Sequence, residues 1–420
     1  MELVSSVLQL GPTVIMPIIF FVFGLLFRLS LGKAFKAAMT VGVGFEGLLL
    51  IVAMFLNTLG PVTAAMVKRL GVQLTIMDAG WATSASTAWS SPLVPFVVTG
   101  AILLNVILLA CKSTKILNID MFNYWLILLV GTLIYTDTGS IILGTCGSLL
   151  LYLLAFIIGD WTAPAIQESY KIKGVAFIHA TCGPCVPFGI AVNALLARIP
   201  IIRDINLSQE KIVAKLGILG EPITLASILG AGLGALAGWP AGQCCVLAVK
   251  MATVMLLLPK MVGVLMDGVS IVREQAETVL KEKFPQREFY IGMDTSLLIG
   301  DPSVLATGLL LIPITLLLAI VLPGNKMLPF ADLSVLVFFI TMIAPSCQKN
   351  IFRMLVTGTI LMVIALYIST DLAPIYTAAV HKSSVLLPEN MRSTELGNML
   401  SPVNTPLGWL LIKLAHLFGK

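Results

Sequence analysis

The sequence predicts an all-α polytopic membrane protein, an inverted repeat of five spans per copy with a re-entrant hairpin in each. Three observations carry that prediction. Apolar residues make up 58% of the chain and charged residues 11%, against roughly 25% charged in an ordinary soluble domain. The mean hydropathy is +1.00. Apolar runs that approach the roughly 20 helical residues needed to cross the hydrocarbon core recur along the whole chain. Short segments of the two halves also match at a nearly constant offset.

Ten runs are span candidates, a few of them only when shorter runs are admitted. They lie at 11–27, 37–58, 93–110, 121–135 and 139–159, then at 223–239, 243–259, 304–322, 333–345 and 354–370. Between the halves, Leu10-Gly11-Pro12-Thr13 resembles Leu219-Gly220-Glu221-Pro222, and Met77-Asp78 resembles Met293-Asp294. Lys115-Ile116-Leu117 likewise resembles Lys326-Met327-Leu328, and Gly147 to Asp160 falls on Gly358 to Asp371. The chain then divides into a first repeat (1–159), a cytoplasmic or re-entrant linker (160–218), a second repeat (219–371) and a tail (372–420). That tail reads as a polar external segment followed by an interfacial helix over 405–418, too short to span upright. Five spans per copy is an odd number, so the second copy enters the membrane from the opposite side.

Loop charge gives an independent orientation. With the N-terminus external, the inner segments are 28–36, 112–120, 160–221, 260–291 and 346–353, and they hold most of the 26 basic residues. That agrees with the positive-inside rule. The net charge of +5 is scattered and suits basic loops on one membrane face, with no nucleic-acid surface. The seven cysteines sit mostly in apolar runs as small hydrophobes, so no disulfide framework is expected. Residues 1–10 lack the basic region and cleavage site of a removable signal peptide.

The stretch from Met77 to Pro95 is dense in hydroxyls and small side chains: Asp78-Ala-Gly80-Trp81, then Ser84, Thr87, Trp89 and Pro92. Non-helical chain at membrane depth survives only where protein or a wet cavity surrounds it, so this reads as a re-entrant hairpin. The second half echoes it in Gly292-Met293-Asp294-Thr295-Ser296 and Gly300-Asp301-Pro302-Ser303. Paired interruptions of this kind point to a transporter's substrate site. Gly174 to Leu196, broken by Pro184 and Pro187, can dip into the membrane beside them. Ser208 reads as the N-cap of an amphipathic stretch, and 267–290 as a charged cytoplasmic helix ended by Pro285.

At this point the residues resemble a family. Leu10-Gly11-Pro12-Thr13-Val14, the stretch from Asp78-x-Gly80-Trp81 to Trp89, Gly220-Glu221-Pro222, Leu322-Pro323-Gly324-Asn325, Leu328-Pro329-Phe330-Ala331-Asp332 and Asn350-x-Phe352-Arg353 look like the galactitol-type membrane component (EIIC) of the bacterial phosphotransferase system. The resemblance implies an elevator-type transporter of the ascorbate and galactitol superfamily, a homodimer in the bacterial cytoplasmic membrane. It also implies a phosphocysteine donor on a separate phosphorylated B protein (IIB), with an A protein (IIA) upstream. This chain has no soluble domain that would serve as either. Two departures stand out. The chain ends at Lys420, where galactitol members continue into a further span, and positions 300–302 read Gly-Asp-Pro where Gly-His-Thr is expected.

A polyol substrate asks for carboxylates, hydroxyls and aromatic faces. Asp78, Trp81, Ser84, Thr87, Trp89, Thr181 and Glu221 are the candidate binding residues, although the tryptophans also suit an interface belt and Glu221 a helix N-terminus. Asp294, Asp301 and His179 are the candidate catalytic residues, one of which would take the proton of the attacking hydroxyl. Cys182-Gly-Pro-Cys185 matches a thioredoxin-like redox motif, but no βαβ pattern surrounds it. With His179 the pair makes three ligands without a clear fourth, so no metal and no cofactor is expected. An ion-coupled secondary transporter and a membrane thiol oxidoreductase are the rival classes. The glycines from Gly230 to Gly242 predict close helix approach.

Overall fold

The computed structural model describes residues 12–71, 74–120, 123–205, 207–283, 288–329, 332–383, 396–398 and 405–418. Outside them fall the readings of residues 1–10, of Phe330 and Ala331, of a helix end at Pro285, and of most of the external segment beyond 383.

The first half runs α1 (Pro12–Leu26), α2 (Leu31–Leu70), β1 (Ile76–Asp78), α3 (Gly80–Trp89), α4 (Val94–Ala110), β2 (Ile116–Asn118), α5 (Tyr124–Thr138), α6 (Ile141–Tyr170), β3 (Val175–Phe177) and α7 (Cys182–Leu196). Two short helices, α8 (Pro200–Arg203) and α9 (Gln209–Leu216), follow; Ser208 caps α9, its Oγ accepting from Lys211 N at 3.4 Å. The second half runs α10 (Pro222–Leu236), α11 (Ala241–Lys283), β4 (Tyr290–Met293), α12 (Ser296–Ile299), α13 (Pro302–Val321), β5 (Met327–Leu328), a 3₁₀ turn (Asp332–Val335), α14 (Val337–Thr341), α15 (Ile351–Lys382), β6 (Leu396–Asn398) and α16 (Pro406–Phe418).

Most of these helices are apolar all round, the pattern of helices surrounded by protein or lipid. A few of their starts carry side-chain caps. Ser140 Oγ accepts from Leu143 N at 3.2 Å ahead of α6, and Asn350 Oδ1 accepts from Phe352 N at 3.1 Å ahead of α15. Among the described residues five helices are long and apolar enough to cross a membrane: Leu31–Arg69, Ile141–Tyr170, Ala241–Ala276, Pro302–Val321 and Ile351–Lys382. A sixth span is available if the pair Thr83–Trp89 and Val94–Ala110, bent by 88°, counts as one. That bend falls inside the expected hairpin.

Three expectations need correction. The run 333–345 is no single span: it breaks into the 3₁₀ turn, the short α14 and further turns, with Val337, Phe339, Ile340 and Thr341 all buried in protein. Hydropathy cannot tell a protein interior from lipid. The charged stretch from 267 is helical to Lys283 as expected, but it does not begin there: it is the end of α11, which runs unbroken from Ala241 through Pro259. α15 likewise passes 371 and carries on to Lys382.

α2 and α11 cross closely through glycine. A Cβ on Gly44 would lie 2.4 Å from Leu265 N, and one on Gly268 2.7 Å from Val41 N, so the two backbones touch where side chains are absent. Of the glycines expected to permit close approach, Gly230 and Gly234 of α10 do so against α11, whereas Gly232 and Gly242 face nothing within 4 Å.

Among the described residues, six short strands form two parallel three-stranded sheets, in the orders β5-β1-β6 and β2-β4-β3. Each central strand comes from one half and both its flanking strands from the other. The strands give hydrogen-bond partners to backbone that leaves the helical path, which a protein interior in a membrane requires. α7 packs on α14 and α15, and α16 on α5 and α6, so each half's closing helix lies against the opposite half.

Candidate functional site

At the end of each central strand an aspartate turns the chain into a short helix. After β4, Asp294 Oδ1 accepts from Ser296 N at 2.7 Å and so opens α12. After β1, Asp78 Oδ1 accepts from Gly80 N at 3.0 Å and opens α3 in the same way. The two turns are then finished differently.

Around Asp294 a polar cluster forms from four elements. β3 delivers His179, whose Nδ1 accepts from Cys182 N at 3.1 Å and Thr181 N at 3.3 Å. The imidazole therefore caps α7, at whose N-cap position Thr181 makes no side-chain capping bond of its own. Because two backbone N–H groups point at Nδ1, the neutral ring carries its proton on Nε2. That Nε2 lies 3.9 Å from Asp294 Oδ2 and 3.9 Å from Cys182 Sγ. Thr295 Oγ1, 3.7 Å from Cys182 Sγ, closes this side of the cluster.

On its other side Asp294 meets the start of α5. Asn123 Nδ2 donates to Asp294 Oδ2 and also to Asp120 Oδ2, the latter at 2.7 Å, so one amide bridges two carboxylates. Asn118 Nδ2 donates to Tyr152 Oη at 2.7 Å, and Tyr152 in turn to Tyr124 Oη at 3.2 Å. Asn118, Asp120, Asn123, Tyr124 and Tyr152 line a small cavity with Ile127, Ile178 and Ala180. It has room for about one water-sized group. Sequence reading missed these five polar residues. For four of them the signal was present as Asn118-Ile-Asp120-Met-Phe-Asn123-Tyr124, a polar break between two apolar runs, which resembles a solvated loop.

Asp301 closes α12 and caps α13, its Oδ1 accepting from Ser303 N at 2.9 Å and Val304 N at 3.3 Å. Its Oδ2 lies 2.6 Å from Lys349 Nζ. Asp294 and Asp301 thus occupy the two ends of one short helix, with His179 beside the first and Lys349 beside the second.

The binding candidates of the first hairpin gather elsewhere. Asp78 Oδ2 accepts from Asp332 N at 2.7 Å, and Asp332 Oδ1 accepts from Trp81 N at 3.0 Å. Ser84 Oγ donates to Gly80 O at 3.0 Å and lies 2.5 Å from Tyr376 Oη. Asp78, Ser84, Thr87 and Asp332 are buried, and Trp81 is 37% exposed. Thr87 is satisfied by Thr83 O at 2.8 Å, and Trp89 packs half-buried against the core of α5 and α6. Glu221 is the exposed N-cap residue of α10 and makes no side-chain capping bond. Thr181 is therefore the only one of the seven binding candidates drawn into the Asp294 cluster through the bonds described above.

Cys182 and Cys185 are both free and buried at the start of α7. No group of three or more His, Cys, Asp or Glu side chains is arranged to hold a metal among the described residues.

Comparison with known proteins places the chain. Residues 6–390 match the family model "EIIC-GAT: PTS system sugar-specific permease component". The chain is 34% identical over 416 residues to the PTS system galactitol-specific EIIC component of Escherichia coli (strain K12), a match covering 98% of this chain and 90% of the relative. The galactitol-specific EIIC component of Escherichia coli O157:H7 matches to the same extent. A putative permease IIC component of Escherichia coli (strain K12) is 33% identical over 414 residues, covering 98% and 93%. With its apolar membrane-length helices, this chain belongs to the EIIC-GAT family of phosphotransferase-system sugar-specific permease components.

Proposed function

We propose that this chain is the membrane permease of a phosphotransferase system for a sugar alcohol of the galactitol type, importing the polyol as a separate phosphorylated B protein phosphorylates it. The observation that carries the chemistry is the Asp294 cluster. A hydroxyl becomes a nucleophile toward phosphorus when a positioned base takes its proton. Asp294 is the acceptor in this reading: its Oδ2 is held by the neutral Asn123 amide and faces His179 Nε2, whereas His179 Nδ1 caps α7 and Asp301 is neutralised by Lys349. His179 acts as an N–H donor beside the base, and the amides and hydroxyls of Asn118, Asn123, Tyr124 and Tyr152 suit the hydroxyls of a polyol.

The architecture in this reading is an inverted repeat that works as an elevator in a homodimer, with the N-terminus external. Three matches support the repeat. Element order runs in parallel through the two halves, the two sheets exchange strands reciprocally, and Asp78 and Asp294 turn their strands into helices alike. Its domains are a first repeat to 159, a linker to 218, a second repeat to 371 and the tail. The first hairpin, with Asp78, Trp81, Ser84, Thr87 and Trp89, forms the counterpart wall of the substrate path, and Glu221 lies at the inner entry to the second repeat.

A rival reading, ion-coupled transport, draws on the buried carboxylates Asp78 and Asp332. Vesicles offered labelled galactitol with and without phosphorylated B protein separate the two. The reading expects phosphorylated product inside, formed only with the phosphorylated partner. Accumulation of unmodified galactitol driven by a proton or sodium gradient would overturn it.

A further inference from the structure

Lys349 stands in an unusual place for a lysine. It and Gln348 both adopt left-handed backbone, with φ of 51° and 53°, in the turn between α14 and α15. Two consecutive non-glycine residues there cost free energy that glycine would not, and the contacts of the Lys349 side chain offset part of it. The ammonium is fully engaged. Nζ lies 2.6 Å from Asp301 Oδ2, donates to Ser169 O at 2.6 Å, and sits 4.3 Å from the centre of the Tyr170 ring. The side chains of Lys349 and Asp301 are only 24% and 13% exposed.

One of those partners is exchangeable. If Lys349 leaves, Asp301 keeps the Ser303 and Val304 N–H groups on its other oxygen and is not orphaned. Lys349 keeps Ser169 O and the Tyr170 ring, which hold it in place. Asp294 and Asp301 are separated by the single turn of α12, on the order of 10 Å of helical rise. The ammonium, held on Asp301, thus lies at the far end of α12 from the proposed base, on the order of 10 Å along the chain. In the orientation argued above, the 346–353 turn lies on the inner side, where a phosphoryl donor arrives.

We propose that Lys349 exchanges Asp301 for the incoming phosphoryl group and neutralises its charge during transfer. This rests on the phosphotransferase reading. In the transfer, the S–P bond of the partner's phosphocysteine breaks and an O–P bond to the substrate hydroxyl forms. The hydroxyl proton passes to Asp294, and the thiolate stays on the partner. Lys349 gains and loses nothing; it places a fixed positive charge where negative charge gathers. Partner proteins without the phosphoryl group leave the Asp301–Lys349 pair closed.

The test compares Lys349→Gln with the double variant Asp301→Asn/Lys349→Gln, measuring labelled galactitol binding to purified protein and phosphorylation by excess phosphorylated B protein. The proposal expects binding within a few-fold of wild type. It expects phosphorylation at least about 100-fold down in both variants. If Lys349 only neutralises Asp301, removing both charges restores phosphorylation to near wild type, and the proposal falls. A second measurement uses the wild-type protein. Acylation of Lys349 by an amine-reactive reagent should be slowed by phosphorylated B protein and not by the unphosphorylated form; equal protection by both, or none, overturns the proposal. Failure of wild type itself to phosphorylate galactitol would instead sink the underlying reading.

Discussion

His179 Nδ1 accepts from the backbone N–H of Cys182 at 3.1 Å, and this leaves the opposite nitrogen 3.9 Å from Asp294 Oδ2. A helix cap has thereby decided which way the proton on an imidazole points. Asp294→Asn keeps the shape and the Ser296 turn but removes the base. Phosphorylation should fall on the order of 10²- to 10⁴-fold. Binding of labelled galactitol should change less than tenfold. Wild-type phosphorylation by this variant would remove Asp294 from the chemistry.

The same geometry predicts different outcomes at His179. His179→Asn can still present an acceptor to Cys182 N, whereas His179→Ala cannot. The alanine variant should lose about 1 kcal/mol of stability as a broken N-cap does, seen as a lower thermal midpoint in detergent. Both should lose phosphorylation, since both lack the Nε2–H donor. Equal thermal midpoints would show that the imidazole does not cap α7.

Asn123 donates its amide to both Asp120 and Asp294. Asn123→Ala removes the donor that both carboxylates share and should cost about 1–3 kcal/mol, read from thermal unfolding. Adding Asp120→Asn should recover part of that loss, because one of the two negative charges is gone. A double variant no more stable than the single one would show that the bridge is not electrostatic.

In the first hairpin, Asp78→Ala orphans the backbone N–H groups of Gly80 and Asp332. Each buried donor left unpaired costs about 1–3 kcal/mol, so this variant should insert or purify poorly. Asp332→Asn, which still offers an oxygen to Trp81 N, should be tolerated far better. Similar yields and midpoints for the two would contradict the brace.

The membrane class and the bend inside the first hairpin were legible in the sequence, because each follows from local composition or spacing. The site was legible only in part. His179, Thr181 and Asp294 stood out as polar residues in apolar surroundings, but Asn118, Asp120, Asn123 and Tyr124 sat at the edge of a run and looked like loop. Tyr152 was invisible, since an aromatic within an apolar helix reads as core until the fold brings Asn118 to its hydroxyl. The run 333–345 misled for the converse reason: its apolar side chains face protein. Lys349 could not have been paired with Asp301 from spacing, because a left-handed turn directs it there.

The central claim is that two halves threaded in opposite senses meet at one polar site. Two turns that the proposed repeat makes counterparts report on it most directly: the one entered by Thr138, the last residue of α5, and the one holding Gln348, between α14 and α15. Single cysteines at these positions, in a chain whose seven native cysteines are replaced, can be tested with an impermeant thiol reagent on intact cells and on inverted vesicles. The account predicts labelling of Thr138→Cys from outside and of Gln348→Cys from inside. Labelling of both from the same face would contradict it.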